Sequence, residues 1–267
     1  MRSFVAMAVL AGLVAWAGAS RAAESVTISY AADGRRVELG GILHRPDGAG
    51  PFPALVLMHG CSGLEKNHDA WARRLASHGY VALIVEGFRS RGVNNVCTKK
   101  TFNKVSYNAR IADAYAGAAF LRARSDVDSG RVGVVGWSHG GIIALKLAAR
   151  QPPSFSWADV PVVPFRSVVA FYPYCGPEKD AAVPLLILIG SRDDWTPASN
   201  CESYAAMQKV AGTPVELVVY PGATHAFDDT TVGQGYVNTG HFLRYDGAAT
   251  ADAADRMVEF LARTLAD

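Results

Sequence analysis

No cysteine pair in this chain is spaced as CxxC, and no cysteine and histidine fall together with the spacing of a zinc site, so neither a thioredoxin-type redox centre nor a bound metal is expected. Internal repeats, low-complexity tracts and domain linkers are also missing, which excludes a solenoid or a disordered scaffold. Charge of one sign is missing too: 26 basic residues face 24 acidic ones. The small excess equals Arg2 and Arg21, the only charges in residues 1–22. Such a balance offers nothing to nucleic acid or an anionic membrane, and neither is an expected partner. Beyond residue 16 there is no long apolar run.

The first residues do carry one. Arg2 is followed by the apolar stretch Phe4 to Trp16 and then by Ala17, Ala19, Ala22 and Ala23. Basic start, short apolar run and small residues make a secretory signal peptide over 1–22, with a retained anchor as the competing reading. Residues 23–267 are then a single domain, periplasmic or secreted, with no membrane contact after cleavage. Its four cysteines, Cys61, Cys97, Cys175 and Cys201, are an even number in an exported chain and are disulfide candidates. Their count alone allows three pairings.

Strand-like and helix-like runs alternate. "VTISYAA" and "RRVELGGILHRP" read as a hairpin turning at Asp33-Gly34. "PALVLMHG", "VALIVEG", "RVGVVGW", "SVVAFYP", "PLLILIG" and "VELVVYPG" read as buried strands, each closed by a turn residue or an aromatic. Between them lie the amphipathic or alanine-rich runs "NHDAWARRLASHGY", "NARIADAYAGAAFLRAR", "HGGIIALKLAAR" and "ASNCESYAAMQKVAG", and "AATADAADRMVEFLARTLA" closes the chain. Strand–helix alternation predicts one mostly parallel sheet with helices on both faces. Phe88 to about Ser106 reads as a polar loop, and "QPPSFSWADVPVVP" as another.

Gly136-Trp137-Ser138-His139-Gly140 fits G-x-S-x-G. The bare pattern is weak; its setting, a buried strand before and a helix directly after, is what a nucleophile on a sharp turn requires. His139 is not the base, because consecutive residues at a tight turn point apart. Its backbone N–H is instead one oxyanion donor, and the N–H of Cys61, in the loop after "LVLMHG", is the other. The base and the acid follow in chain order: Asp193 past the end of "LLILIG" and His225 past the end of "LVVYPG", both at carboxyl ends of strands, where such sheets gather their sites. Asp194 competes with Asp193, and His241 and His59 compete with His225, but neither histidine has the right strand end beside it. Ser62 reads as a loop hydroxyl.

With "HGCSG", "GWSHGG", "IGSRDDWTP" and "YPGATHAF" in that order, the chain resembles an α/β-hydrolase, and more narrowly the dienelactone hydrolase family, from about Ser25 to Leu265. The resemblance implies the α/β-hydrolase fold with an eight-stranded sheet, and a cofactor-free hydrolase without a large lid that acts on small soluble esters or lactones. It departs from the enzymes that named the family, which use cysteine where this chain has Ser138 and are cytoplasmic. A peptidase or acyltransferase on the same fold, and a binding module that has lost activity, are the alternatives. Only "YCGPEKDAAV" separates two strands where such folds insert lids, so the site should be open. From Glu86 to Arg110 six bases face one acid; Arg89 or Arg91 would bind a substrate carboxylate, or the loop is simply solvated and basic. Adjacent strand ends favour the bridges Cys61–Cys97 and Cys175–Cys201.

Overall fold

A computed structural model describes residues 22–149, 158–176, 180–210 and 215–266. Residues 1–21 of the expected signal peptide, and Pro152-Pro153, lie outside them. The chain opens with β1 (Glu24–Ala32) and β2 (Arg35–His44), an antiparallel pair. Their turn has Asp33 and Gly34 both at positive φ, 48° and 69°, the conformation that matches the twist of a two-residue hairpin and that Asp-Gly tolerates best. β3 (Phe52–Met58), α1 (Lys66–Ser77), β4 (Val81–Glu86), α2 (Tyr107–Arg122), β5 (Val127–Trp137) and α3 (His139–Ala148) follow. The second half adds β6 (Ala158–Asp159), β7 (Val168–Phe171), β8 (Leu185–Gly190), α4 (Ala198–Val210), β9 (Val215–Tyr220), β10 (Tyr236–Asn238), β11 (His241–Leu243) and α5 (Gly247–Thr264).

The main sheet runs β6-β1-β2-β4-β3-β5-β7-β8-β9. From β4 to β9 every neighbour is parallel; β1, β2 and β6 add an antiparallel edge. Nine strands replace the expected eight. The extra one is two residues long: Ala158 and Asp159 pair with Ala32 and Ala31, and so short a piece at a sheet edge leaves no periodic signal in a proline-rich stretch. Every residue of β4 and β8 is buried, which requires cover on both faces and explains their unbroken apolar runs. Leu55, Val56 and Leu57 of β3 are wholly buried, each worth about 1.5–3 kcal/mol of apolar transfer. α2 packs on β3 and β5 and touches α3; its start is fixed by Ser106, whose side chain accepts the N–H of Ala109 at 3.1 Å.

Position in the sheet sets up the site. β3 lies between β4 and β5, so the chain winds one way from β3 to β4 and the other way to β5. The crevice at the carboxyl ends of β3 and β5 is a topological switch point. Cys61 leaves one of those ends and Ser138 the other.

Candidate active site

Ser138 stands at φ 53°, ψ −114°, a backbone conformation that costs a non-glycine residue about 1–3 kcal/mol and persists only where its surroundings enforce it. The flanking glycines supply that enforcement. A Cβ on Gly136 would overlap the carbonyl of Gly140, and one on Gly140 would overlap the carbonyl of Met58. Strand, turn and helix therefore pass within backbone contact of one another, and Ser138 is lifted out at the top.

Three side chains from three strand ends meet there. His225 Nε2 is 2.9 Å from Ser138 Oγ, and His225 Nδ1 is 2.8 Å from Asp193 Oδ2. Asp193 and His225 are both buried. The other oxygen of Asp193 accepts the N–H groups of Trp195 and Thr196 at 3.0 and 2.8 Å. The Thr196 hydroxyl donates to Asp193 Oδ2 at 2.9 Å and lies 3.1 Å from His225 Nδ1. An acceptor-only carboxylate thus holds one face of the imidazole, so that Nδ1 carries the proton and Nε2 is free to take the one on Ser138. Asp194 points elsewhere, to His241 at 3.4 Å and to the N–H of Phe242.

The residues beside the serine have other partners. The ring of His139 is buried, with Nδ1 3.3 Å from the guanidinium of Arg110; burial, then the Arg110 charge, lowers its pKa to about 3, so it stays neutral. Its backbone N–H opens α3, where the first turn has no intrahelical acceptor. His59 is wholly buried; Nδ1 donates to the Gly60 carbonyl at 2.8 Å and Nε2 accepts from Gly87 N–H at 3.3 Å, which shapes the turn that delivers Cys61. Arg110 closes the same layer through the His59 carbonyl at 3.0 Å.

The disulfides Cys61–Cys97 and Cys175–Cys201 are both formed, tying the β3 exit to the loop after β4, and the loop after β7 to α4. The arginines of that first loop do not reach the site. Arg91 forks onto Asp113 at 2.8 and 2.9 Å and onto the Tyr30 hydroxyl at 3.0 Å; a fully buried carboxylate needs this partner. Arg89 is exposed and borders neither cleft at Ser138. A substrate carboxylate on either arginine finds no support in this geometry; of the bases in this stretch Arg91 and Arg110 are held in the protein, while Arg89, Lys99, Lys100 and Lys104 are exposed.

Sequence reasoning did not find Asp228. Its buried carboxylate accepts from Trp71 and Trp137 indoles at 2.7 and 3.0 Å and from the Tyr172 hydroxyl at 2.6 Å. Burial pushes its carboxyl up, against the pull of Tyr172 and Trp71. Tyr172, at φ 36°, packs its ring 4.6 Å from that of His225. Four residues of distant segments share this hub, so no local pattern announces it. Thr196, Trp195 and Glu65 were equally silent, although the Thr196-Pro197 step marks the turn that brings Thr196 back. Burial, then the Asp229 carboxylate, raises the Glu65 pKa to about 7. Among the described residues no group of three histidine, cysteine, aspartate or glutamate side chains is arranged to hold a metal.

Two clefts meet at Ser138. A small one of about 40 Å³ is bordered by Glu65, His225, Asp229 and Tyr236. A larger one of about 320 Å³ is bordered by the Cys61–Cys97 bridge, Phe102, Tyr107, Tyr174 and Trp195. Among the described residues that border them, none is Arg or Lys.

Residues 39–265 match the model of the dienelactone hydrolase family. A Methylorubrum extorquens protein provisionally named a carboxymethylenebutenolidase is 28% identical over 191 residues, which span 68% of this chain and 65% of that protein, just under two thirds of its length. A Klebsiella pneumoniae crystal structure provisionally named a dienelactone hydrolase superposes with TM-score 0.72 at 24% identity, covering 91% of this chain and all of that one. Thermogutta terrifontis esterase 2, phosphoramylated by tabun, superposes with TM-score 0.68 at 19% identity, covering 94% of this chain and 97% of that one. The two superpositions show the shared fold.

Proposed function

The chain belongs to the dienelactone hydrolase family, and on that premise we propose that it is a serine hydrolase of carboxylic ester or lactone bonds in small soluble substrates. The observation that carries this reading is the unbroken contact from Ser138 through His225 to Asp193, with the serine on a strained turn. His225 Nε2 takes the Ser138 proton as Oγ attacks the carbonyl carbon. The resulting oxyanion lies against the N–H groups of Cys61 and His139, where the start of α3 adds a favourable dipole. Collapse breaks the bond to the leaving oxygen, which receives the proton from His225, and an acyl group remains on Ser138. Water, deprotonated by His225, then releases the acid. Asp193 keeps Nδ1 protonated and steadies the imidazolium throughout.

Residues 1–22 act as a signal peptide and 23–267 as one exported domain, periplasmic or secreted. Two disulfides support this. No helix among the described residues is long and apolar enough to cross a membrane.

A panel of nitrophenyl esters of increasing acyl length tests the reading. Wild type should hydrolyse the short members and take a fluorophosphonate label; Ser138→Ala should do neither. Absence of both activities in wild type would leave a binding module. Activity retained by Ser138→Ala would displace the serine from its role.

A further inference from the structure

The two clefts at Ser138 differ in size, in lining and in which catalytic side chain they contain. Only the small one contains His225. A leaving alkoxide must be protonated by His225, so it departs on that side, and the acyl group is left to the larger cleft. Building on the serine hydrolase reading, we propose that the natural substrate is an ester of an aryl-bearing acid with a small alcohol that carries no negative charge.

The larger cleft has the volume of a small-ligand site. Four of its walls are aromatic: Phe102, Tyr107, Tyr174 and Trp195. Phe102 and Tyr174 are 42% and 47% exposed, so flat apolar surface stands in solvent directly beside the nucleophile, an arrangement that marks a binding surface. Phe102 meets Tyr107 edge-on at 5.9 Å, and Tyr107 lies 5.1 Å from the ring of His139, which leaves a ring-lined slot suited to offset or edge contacts with one more ring. Lys99, Lys100 and Lys104 are exposed on the loop that carries Phe102, but none borders the slot. On the alcohol side the small cleft is bordered by Glu65 and Asp229 and, among the described residues, by no Arg or Lys, although one Asp229 oxygen also accepts the N–H and hydroxyl of Thr231. A second carboxylate there meets repulsion across a half-solvated gap, an effect of about ten-fold per unit charge.

Two matched pairs test this on the full chain. Methyl 3-phenylpropanoate should exceed methyl butanoate in kcat/KM by about ten-fold, the worth of one good aromatic contact, and Phe102→Ala should cut that ratio at least three-fold. At pH 8, above the Glu65 pKa of about 7, the glycolamide ester of 3-phenylpropanoic acid should exceed the isosteric glycolate ester by about ten-fold, and Glu65→Gln should narrow that gap. Equal rates within the first pair, or a glycolate ester turned over as well as the glycolamide, would overturn the proposal. Binding of the same four esters to Ser138→Ala, followed by saturation-transfer NMR, reports on the clefts without turnover. If wild type cleaves none of them but Ser138→Ala ranks them as stated, the hydrolase reading fails and the cleft assignment stands. If the ranking is absent there, the cleft assignment fails by itself.

Discussion

Tyr172 gives its hydroxyl to the buried carboxylate of Asp228 at 2.6 Å and lays its ring 4.6 Å from that of His225. The wall behind the imidazole is thereby fastened to the same oxygen pair that holds the indoles of Trp71 and Trp137, and Trp137 is the residue before Ser138. Base and nucleophile are braced from one buried charge.

Replacing that charge separates stability from chemistry. Asp228→Ala leaves three buried donors without an acceptor and should cost about 3 kcal/mol or more in urea unfolding, at about 1–3 kcal/mol for each group left unpaired. Tyr172→Phe should cost about 1–2 kcal/mol by the same reasoning, and its loss in kcat should exceed its loss in KM because the ring no longer sits where Asp228 holds it.

The two neighbouring aspartates should respond very differently. Asp193→Asn presents an amide to His225 Nδ1 and favours the wrong tautomer, so kcat should fall about 10⁴-fold. Asp194→Asn changes only a contact with His241 and Phe242 and should leave kcat near the wild-type value. Steady-state kinetics on one nitrophenyl ester decides between them.

Cys61–Cys97 closes a long loop, and its removal as Cys61→Ala/Cys97→Ala should cost about 2–4 kcal/mol. Because Cys61 also borders both clefts, kcat should drop in the variant under conditions where it is still folded. A comparable drop should follow treatment of wild type with reductant, read by thiol titration alongside the rate.

Glu65 should leave a mark on the pH dependence of stability. Its pKa rises from 4.5 to about 7 on folding, so the folded state favours the protonated form. The associated stability is fully present below about pH 4.5 and is lost as the pH rises through about 7. Relative to wild type, Glu65→Gln should therefore melt higher at pH 8 than it does at pH 5. Glu65 stands at the cleft mouth with its carboxyl crowded by Asp229 and Asp228 while part of the residue meets water, and solvent screening keeps the difference in melting temperature small. Calorimetric melting at the two pH values measures it.

The alternation of strands and helices, the serine turn and the strand-end positions of Asp193 and His225 were legible because each is written locally: an apolar run, a glycine pair, a residue just past a strand end. The disulfides followed from adjacent strand exits. What escaped is what depends on meetings across the sheet. Asp228 is fixed by Trp71, Trp137 and Tyr172, whose positions are 157, 91 and 56 residues away. Arg91 looked available because its partner, Asp113, sits 22 residues on, in the middle of an alanine-rich helix. The β10–β11 hairpin is too short, three residues a strand, to impose a period on the glycine-rich segment that contains it.

That hairpin reaches His225 by two routes. Leu243 of β11 forms a backbone bridge with His225 itself. His241 stacks on Trp195 at 4.7 Å, and Trp195 in turn lies 5.1 Å from the His225 ring. The outer rim of the small cleft and the imidazole are mechanically one piece. The bridge and the stacked rings join the rim to His225, so on the proposed mechanism a leaving group too wide for the cleft would press on the contacts that position its own proton donor.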